Sequence, residues 1–260
     1  MARQPMYQQI ADDLRRQIET GDLAQGSQLP TELELGGTYK ASRNTIRDAI
    51  KQLIAQNLVE TRPGQGTFVR VRVDPFVTIL TADAKSGFGG GEGATYLSQV
   101  SEGHRQPRQT LPRVELKVPP EPVLLRLRLD PDTQVVLRHQ ERYIDDVPWS
   151  LQTSFYPMSF VIQDAASRLL IAADIAEGTV NYLAEHGHKQ MSYRDWITAR
   201  APDDNEQRFF GVGHEVPMFE IFRTAFDQDK VPMRVTVTVF PTDRNQFIVN
   251  VGDDLPDPQY

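Results

Sequence analysis

The 260-residue sequence predicts an α+β protein of two domains, and three observations carry that prediction. Residues 1–70 place apolar side chains at helical spacing and punctuate them with capping residues. Residues 135–156 and 218–240 alternate β-branched and polar side chains in two similar hairpin patterns. Between the two regimes runs Lys85-Ser-Gly-Phe-Gly-Gly-Gly-Glu-Gly93, too rich in glycine to hold a helix or a central strand.

Taken in order, the chain opens on an amphipathic helix from Tyr7, with Tyr7, Ile10, Leu14 and Ile18 on one face and Gly21 placed to close it. Thr31-Glu-Leu-Glu34 is a capping box, so a second helix starts there, kept short by Gly36-Gly37. Ser42 is an N-cap for a third helix, on which Ile46, Ile50, Leu53 and Ile54 share a face. Arg43, Asn44, Arg47, Lys51 and Gln52 cover the flank those residues leave free. Leu58–Arg62 and Thr67–Val71 read as strands around the turn Pro63-Gly-Gln-Gly66. Three helices and a hairpin make a winged helix-turn-helix over residues 1–73. Its third helix presents a cationic, hydrogen-bonding surface of the kind that reads a major groove, because an arginine fork matches guanine O6 and N7. An isolated helix of this pattern is more often a solvated surface helix; the cap, turn and hairpin around this one favour recognition.

Residues 74–94 read as a linker. A phosphate loop is excluded there, since no Gly-Lys-Ser/Thr follows the glycines. Residues 95–252 form the second domain. Its expected strands are 113–118, 135–144, 149–156, 192–201, 218–227, 231–240 and 247–251, with helices at 159–174 and 179–186. Asp145-Asp146 and Asp227–Lys230 turn two hairpins whose sequences are alike, which implies a pseudo-repeat in an antiparallel sheet. Residues 253–260 are an acidic tail.

Net charge is −7, but it is unevenly spread. Residues 1–70 hold nine Lys/Arg against eight Asp/Glu, and the remaining 190 hold nineteen against twenty-seven. Positive charge gathers around the third helix, with six basic and two acidic residues over 40–70. The chain has no cysteine and no apolar run long enough for a bilayer, so a cytoplasmic protein without a membrane partner is expected. His186-Gly-His188 lacks a carboxylate at ligand spacing and reads as two solvent-facing imidazoles. Asp145-Asp146 and Asp203-Asp204 sit in polar turns where carboxylates cap amides. With no nucleophile elbow either, the expectation is a protein that is not an enzyme and holds no metal or cofactor.

Residues 5–71 resemble the DNA-binding domain of the GntR family of bacterial regulators. Pro5-Met-Tyr-Gln-Gln-Ile, Gly26-Ser-Gln-Leu-Pro-Thr-Glu-Leu-Glu-Leu, Ser42-Arg-Asn-Thr-Ile-Arg-Asp-Ala-Ile and Gly64-Gln-Gly-Thr-Phe-Val follow in the family's order. The resemblance implies DNA contacts from Thr31, Ser42, Arg43, Asn44, Thr45, Arg47, Lys51, Gln65, Gly66 and Thr67, with Arg43 and Arg47 as guanine readers. Leu33 stands where the family often has an arginine that touches DNA, so one contact is expected to be missing.

The second domain resembles the UTRA domain of the HutC subfamily, which shares its fold with chorismate lyase. Arg142-Tyr-Ile-Asp-Asp-Val-Pro, Phe155-Tyr-Pro, Ile197-Thr-Ala-Arg-Ala-Pro with Glu206, Pro217-Met-Phe with Arg223, and Asp243-Arg244 carry the likeness. It implies an effector pocket among Arg108, Gln109, Arg138, Gln140, Arg142, Gln152, Arg223, Arg234 and Phe240. Gln140 replaces the first of two pocket arginines, and Gln152 and Arg234 replace glutamates. The expected protein is a homodimeric repressor that binds a palindromic operator and responds to a small anionic effector. A regulator without an effector and a lyase-like enzyme are the alternatives.

Overall fold

The structure is a computed structural model that describes residues 4–62, 64–70, 75–80 and 93–249. It divides into two compact units, Met1–Asp74 and Pro75–Tyr260.

In the first unit, α1 (Met6–Thr20) ends where Gly21 adopts a left-handed φ of 86° and its N–H reaches the Ile18 carbonyl. α2 (Glu32–Tyr39) starts on a complete capping box: Thr31 accepts from the Glu34 N–H, and the Glu34 carboxylate accepts from the Thr31 N–H at 2.8 Å. It runs through both glycines and stops at Lys40, which is left-handed. α3 (Arg43–Ala55) is capped by Ser42 Oγ, which accepts the Thr45 N–H at 3.2 Å. Ile46, Ala49 and Leu53 of α3 are fully buried against Ile10, Ala11 and Leu14 of α1. The wing is β1 (Val59–Arg62) paired antiparallel with β2 (Gly66–Val69), and Val59 and Val69 seal it onto the same core.

The second unit runs β3 (Phe76–Ile79), α4 (Gly93–Glu102), β4 (Pro107–Gln109), β5 (Arg113–Lys117), α5 (Glu121–Leu127), β6 (Val135–Ile144) and β7 (Val147–Pro157). Next come α6 (Ser159–Ile162), a 3-10 turn (Ser167–Leu170), α7 (Thr179–Glu185), β8 (Ser192–Arg200) and α8 (Asp204–Phe210). β9 (Met218–Phe226), β10 (Pro232–Pro241) and β11 (Asn245–Ile248) complete it. Seven strands form one sheet in the order β4-β6-β7-β10-β9-β8, with β5 also on β6. The two expected hairpins are β6–β7 and β9–β10, and they join through their second strands, Phe155 opposite Val235. The sheet therefore has an approximate two-fold arrangement about the β7/β10 boundary. Asp145 and Asp146 turn the first hairpin with φ of 51° and 61°.

Alternation sends Leu137, Phe155 and Val235 to one face, under Val123 and Leu127 of α5. Val136 and Tyr156 go to the other, under Phe160, Leu169, Tyr182 and Leu183. The expected helix over 159–174 is helical only at its start, because Ala165 is left-handed at φ 55° and a 3-10 turn and loop follow. Residues 76–79, expected as linker, are a strand paired in parallel with β11. The glycine run thus follows the first strand of the second unit. Most of that run, residues 81–92, and the tail 253–260 lie outside the described residues. The expected strand 247–251 begins earlier, at Asn245.

Candidate functional site

α3 carries the first candidate surface. Arg43 and Arg47 are one turn apart at its exposed N-terminal end, and both guanidiniums lean on one carboxylate, that of Glu32 in the first turn of α2. Arg43 Nε donates to Glu32 Oε2 at 2.6 Å, and Arg47 Nε donates to Oε1 at 2.9 Å and Oε2 at 3.1 Å. Hydrogen bonds from Arg43 and then Arg47 hold the Glu32 carboxyl below its usual pKa. Each guanidinium is anchored through Nε, so the edge formed by its terminal amino groups stands outside that clamp and is turned away from Glu32. Sequence reasoning missed Glu32. Its signal was a carboxylate in the first turn of α2, the helix that precedes α3.

The other expected DNA contacts divide into two groups. Asn44 and Lys51 are exposed, with Lys51 Nζ 3.6 Å from Asp48. The hydroxyls of Thr31 and Ser42 are used by the two caps, and Thr45 Oγ1 lies 2.8 Å from Ser42 Oγ. In the wing, the Gln65 carbonyl accepts from Gln28 Nε2 at 2.7 Å, and Gly66 sits at φ 121° where any Cβ would collide with that Gln28 amide. Thr67 lies opposite Thr61. Leu33, in the family's arginine position, is 86% exposed.

The second candidate surface is one face of the sheet. Register places Arg138, Ser154, Thr236, Arg223 and Asp195 in one row across five strands. Gln140, Gln152 and Thr238 form the next row, and Gln109, Arg142 and Ser150 the one beyond, with Arg234 and Phe240 on the same face. Eight of the nine expected effector residues therefore share a face. Arg108 does not: it is one residue out of phase, and its guanidinium lies 3.7 Å from the Tyr143 ring centroid and pairs with Asp146.

Within that face the arginines differ. Arg138 donates to the carbonyls of Arg168, Leu169, Ile171 and Ala173 at 2.7–3.3 Å, so it ties down the loop after α6. Arg223 is bidentate to Asp195, both distances 2.7 Å. These two hold the fold of the face. Arg234 donates to Gln190 at 3.2 Å. Arg142, 1% exposed, lies 4.6 Å from the centroid of the Tyr96 ring, and burial pushes the Tyr96 phenol up to about 12. Gln140 is tied to the Thr110 carbonyl and to Asp174. Around Arg142, the buried side-chain oxygens of Gln109, Ser150 and Gln152 find no hydrogen-bond partner among the described residues. Phe240 closes one side in an apolar cluster with Leu80 and Ile221.

The chemistry set aside on sequence sits in structural roles. Asp203 caps α8, accepting from the Asn205 and Glu206 N–H groups at 2.8 Å. His188, expected to face solvent, instead stacks on Phe160 at 3.9 Å and reaches Asp164 at 3.0 Å, because the loop folds back on α6. No metal-binding group of His, Asp or Glu occurs among the described residues.

The model of the bacterial regulatory proteins of the gntR family matches residues 6–69, and that of the UTRA domain matches residues 102–246, more than half the chain. The chain belongs to the gntR family and carries a UTRA domain. Across 95% of its length it is 24% identical to the mannosyl-D-glycerate transport/metabolism system repressor MngR of Escherichia coli, covering 96% of that protein. It is 26% identical over 240 residues to a fructoselysine utilization operon transcriptional repressor of Shigella flexneri, covering 90% of each. Among solved structures, a GntR-family transcriptional regulator aligns with a TM-score of 0.63 over 96% of this chain and 99% of that one, at 22% identity. PhnF of Mycobacterium smegmatis aligns with a TM-score of 0.56 over 94% and 100%, at 20% identity. These likenesses support the fold of a gntR-family regulator: an N-terminal winged helix-turn-helix and a C-terminal antiparallel-sheet domain.

Proposed function

We propose that this gntR-family regulator represses transcription as a homodimer on a palindromic operator, with Arg43 and Arg47 reading a guanine in each half-site. The observation that supports it best is the pair of exposed guanidiniums anchored on Glu32 at the capped start of α3. A second copy related by a two-fold axis duplicates that pair, which is why a palindrome fits. Thr45, Asn44, Lys51 and the wing residues Gln65–Thr67 supply further base or phosphate contacts in this reading.

The effector sits on the Arg142 face of the sheet. Arg142 favours an anionic group, and the unpartnered oxygens of Gln109 and Gln152 call for O–H or N–H donors beside it. The best-fitting ligand is a small hydroxyl- or amine-bearing anion. Relatives that are named repressors of sugar-derivative systems make such a ligand chemically reasonable. Regulation in place of catalysis agrees with the structural roles of the carboxylate pairs.

The test is titration of a duplex selected in vitro. Arg43→Ala and Arg47→Ala should each weaken specific binding by about 1–3 kcal/mol with an unchanged circular dichroism spectrum. Arg142→Ala should leave effector-free DNA binding intact and remove the response to ligand. Unchanged affinity in both α3 variants would exclude α3 as the reading helix.

A further inference from the structure

The opposite face of the sheet carries a feature that neither DNA binding nor the Arg142 face uses. α5 packs over the centre of this face through Val123 and Leu127. Toward β8 the face stays open, and between α5 and β8 runs a groove of about 310 Å³. Phe222 and Phe226 of β9 form its floor, Arg126 and Arg128 line one wall, and Arg194 and Trp196 of β8 line the other.

Its chemistry differs from that around many of the unit's other arginines. Arg105, Arg168, Arg200, Arg223 and Arg244 each pair with a carboxylate. Among the described residues no carboxylate lies within ion-pair distance of Arg126, Arg128 or Arg194. Two of these guanidiniums are laid against rings instead: Arg126 is 4.4 Å from the Phe222 centroid and 5.8 Å from that of Trp196, and Arg194 is 5.8 Å from that of Phe226. Trp196 is 59% exposed, while the other tryptophan, Trp149, is 1% exposed. Three cations without a carboxylate partner among the described residues, of which Arg126 also donates to the Pro122 carbonyl at 2.8 Å, therefore stand beside an exposed indole in a concavity of a chain whose residues beyond 70 carry an excess of eight acidic side chains.

We propose that this groove is a second small-molecule site, taking an anion with a flat apolar body. The arginines supply charge and forked donors, and Trp196 with Phe222 supplies a stacking surface. The volume falls within the range of about 300–1,000 Å³ usual for small-ligand sites. A second copy of this chain docked on the groove about a two-fold would bring three uncompensated guanidiniums onto three more, a like-charge juxtaposition. An extended polyanion would have to run beyond the groove over a unit with a net acidic excess, whereas a compact anion meets only the arginines.

The test uses the full chain and 2-naphthalenesulfonate, with neutral 2-naphthalenemethanol as its uncharged counterpart, followed by calorimetry and by the fluorescence of Trp196. The sulfonate should bind about tenfold more tightly than the alcohol and quench the exposed tryptophan. The Arg128→Ala/Arg194→Ala double variant should weaken the sulfonate about tenfold. Arg142→Ala, on the other face, should leave it unchanged, which separates this site from the effector reading. Equal binding of the two probes, or an unaltered affinity in the double variant, would overturn the proposal. So would loss of self-association in sedimentation when Trp196→Ala is introduced, since the groove would then be an interface between copies. All three substituted groove positions are exposed, and unchanged melting checks that the variants fold.

Discussion

Glu32 shows how much a single carboxylate can do at a cationic surface. Set between Arg43 and Arg47, it subtracts a charge from a unit that has little to spare, yet it also fixes two flexible side chains in one orientation. If orientation is its role, Glu32→Gln should raise affinity for unrelated DNA, steepen the salt dependence by about one unit of slope, and lower the ratio of specific to nonspecific binding about tenfold. Anisotropy titrations on selected and scrambled duplexes at two salt concentrations measure all three. An equal rise on both duplexes would reduce Glu32 to a repulsive charge. Because its carboxyl pKa is depressed, the clamp is retained on acidification through the normal carboxylate range and is lost only as pH falls through the lowered value. At this scale it was the family resemblance that singled out the arginines of the sheet, and one of them, Arg108, lies out of phase with the rest. The sequence did not show that Arg138 and Arg223 were already occupied, since their acceptors are loop carbonyls and Asp195, some thirty residues away in the chain.

Elements that announce their own ends were legible; those defined by distant partners were not. Thr31 and Glu34 marked the start of α2, and Ser42 that of α3. The same signature stands at Asp203 and Glu206, where α8 begins unforeseen, its acidic pair having been read only as turn chemistry. There the box is braced further, since the buried Glu206 carboxylate also receives Arg200 at 2.6 and 2.7 Å. Asp203→Ala should cost the second unit about 1 kcal/mol in urea denaturation, with most of it restored by Asp203→Ser. No loss would mean that the Arg200 pair holds the turn by itself. β3 is the opposite case. Phe-Val-Thr-Ile is too short for its alternation to outweigh the glycines that follow, and its partner, β11, lies near the far end of the chain. The helix expected over 159–174 failed for a related reason: the segment after the left-handed Ala165 is held by Arg138, which reaches from β6 to the carbonyls of Arg168, Leu169, Ile171 and Ala173.

The molecule as a whole is two cores with separate chemistry. Among the described residues the first unit buries ten apolar side chains in one cluster, all of them its own. Residues 1–74 expressed alone should therefore melt cooperatively and still bind DNA, weakly. If the full chain binds as a dimer, its log–log salt slope should be about twice that of this fragment, because twice as many phosphates are neutralised. Equal slopes would argue for a single copy on each duplex. Contacts in the second unit span a much longer stretch of sequence. Phe76 is the first residue of its first strand, and its register partner is Asn245, almost the last described residue. On the ribosome the first unit can complete its core as soon as the wing emerges. The second must hold its opening strand unpaired until β11 has been made, because loop closure of that length precedes any gain from the pairing. The order of synthesis thus yields a folded DNA-binding module well before the module that is to control it.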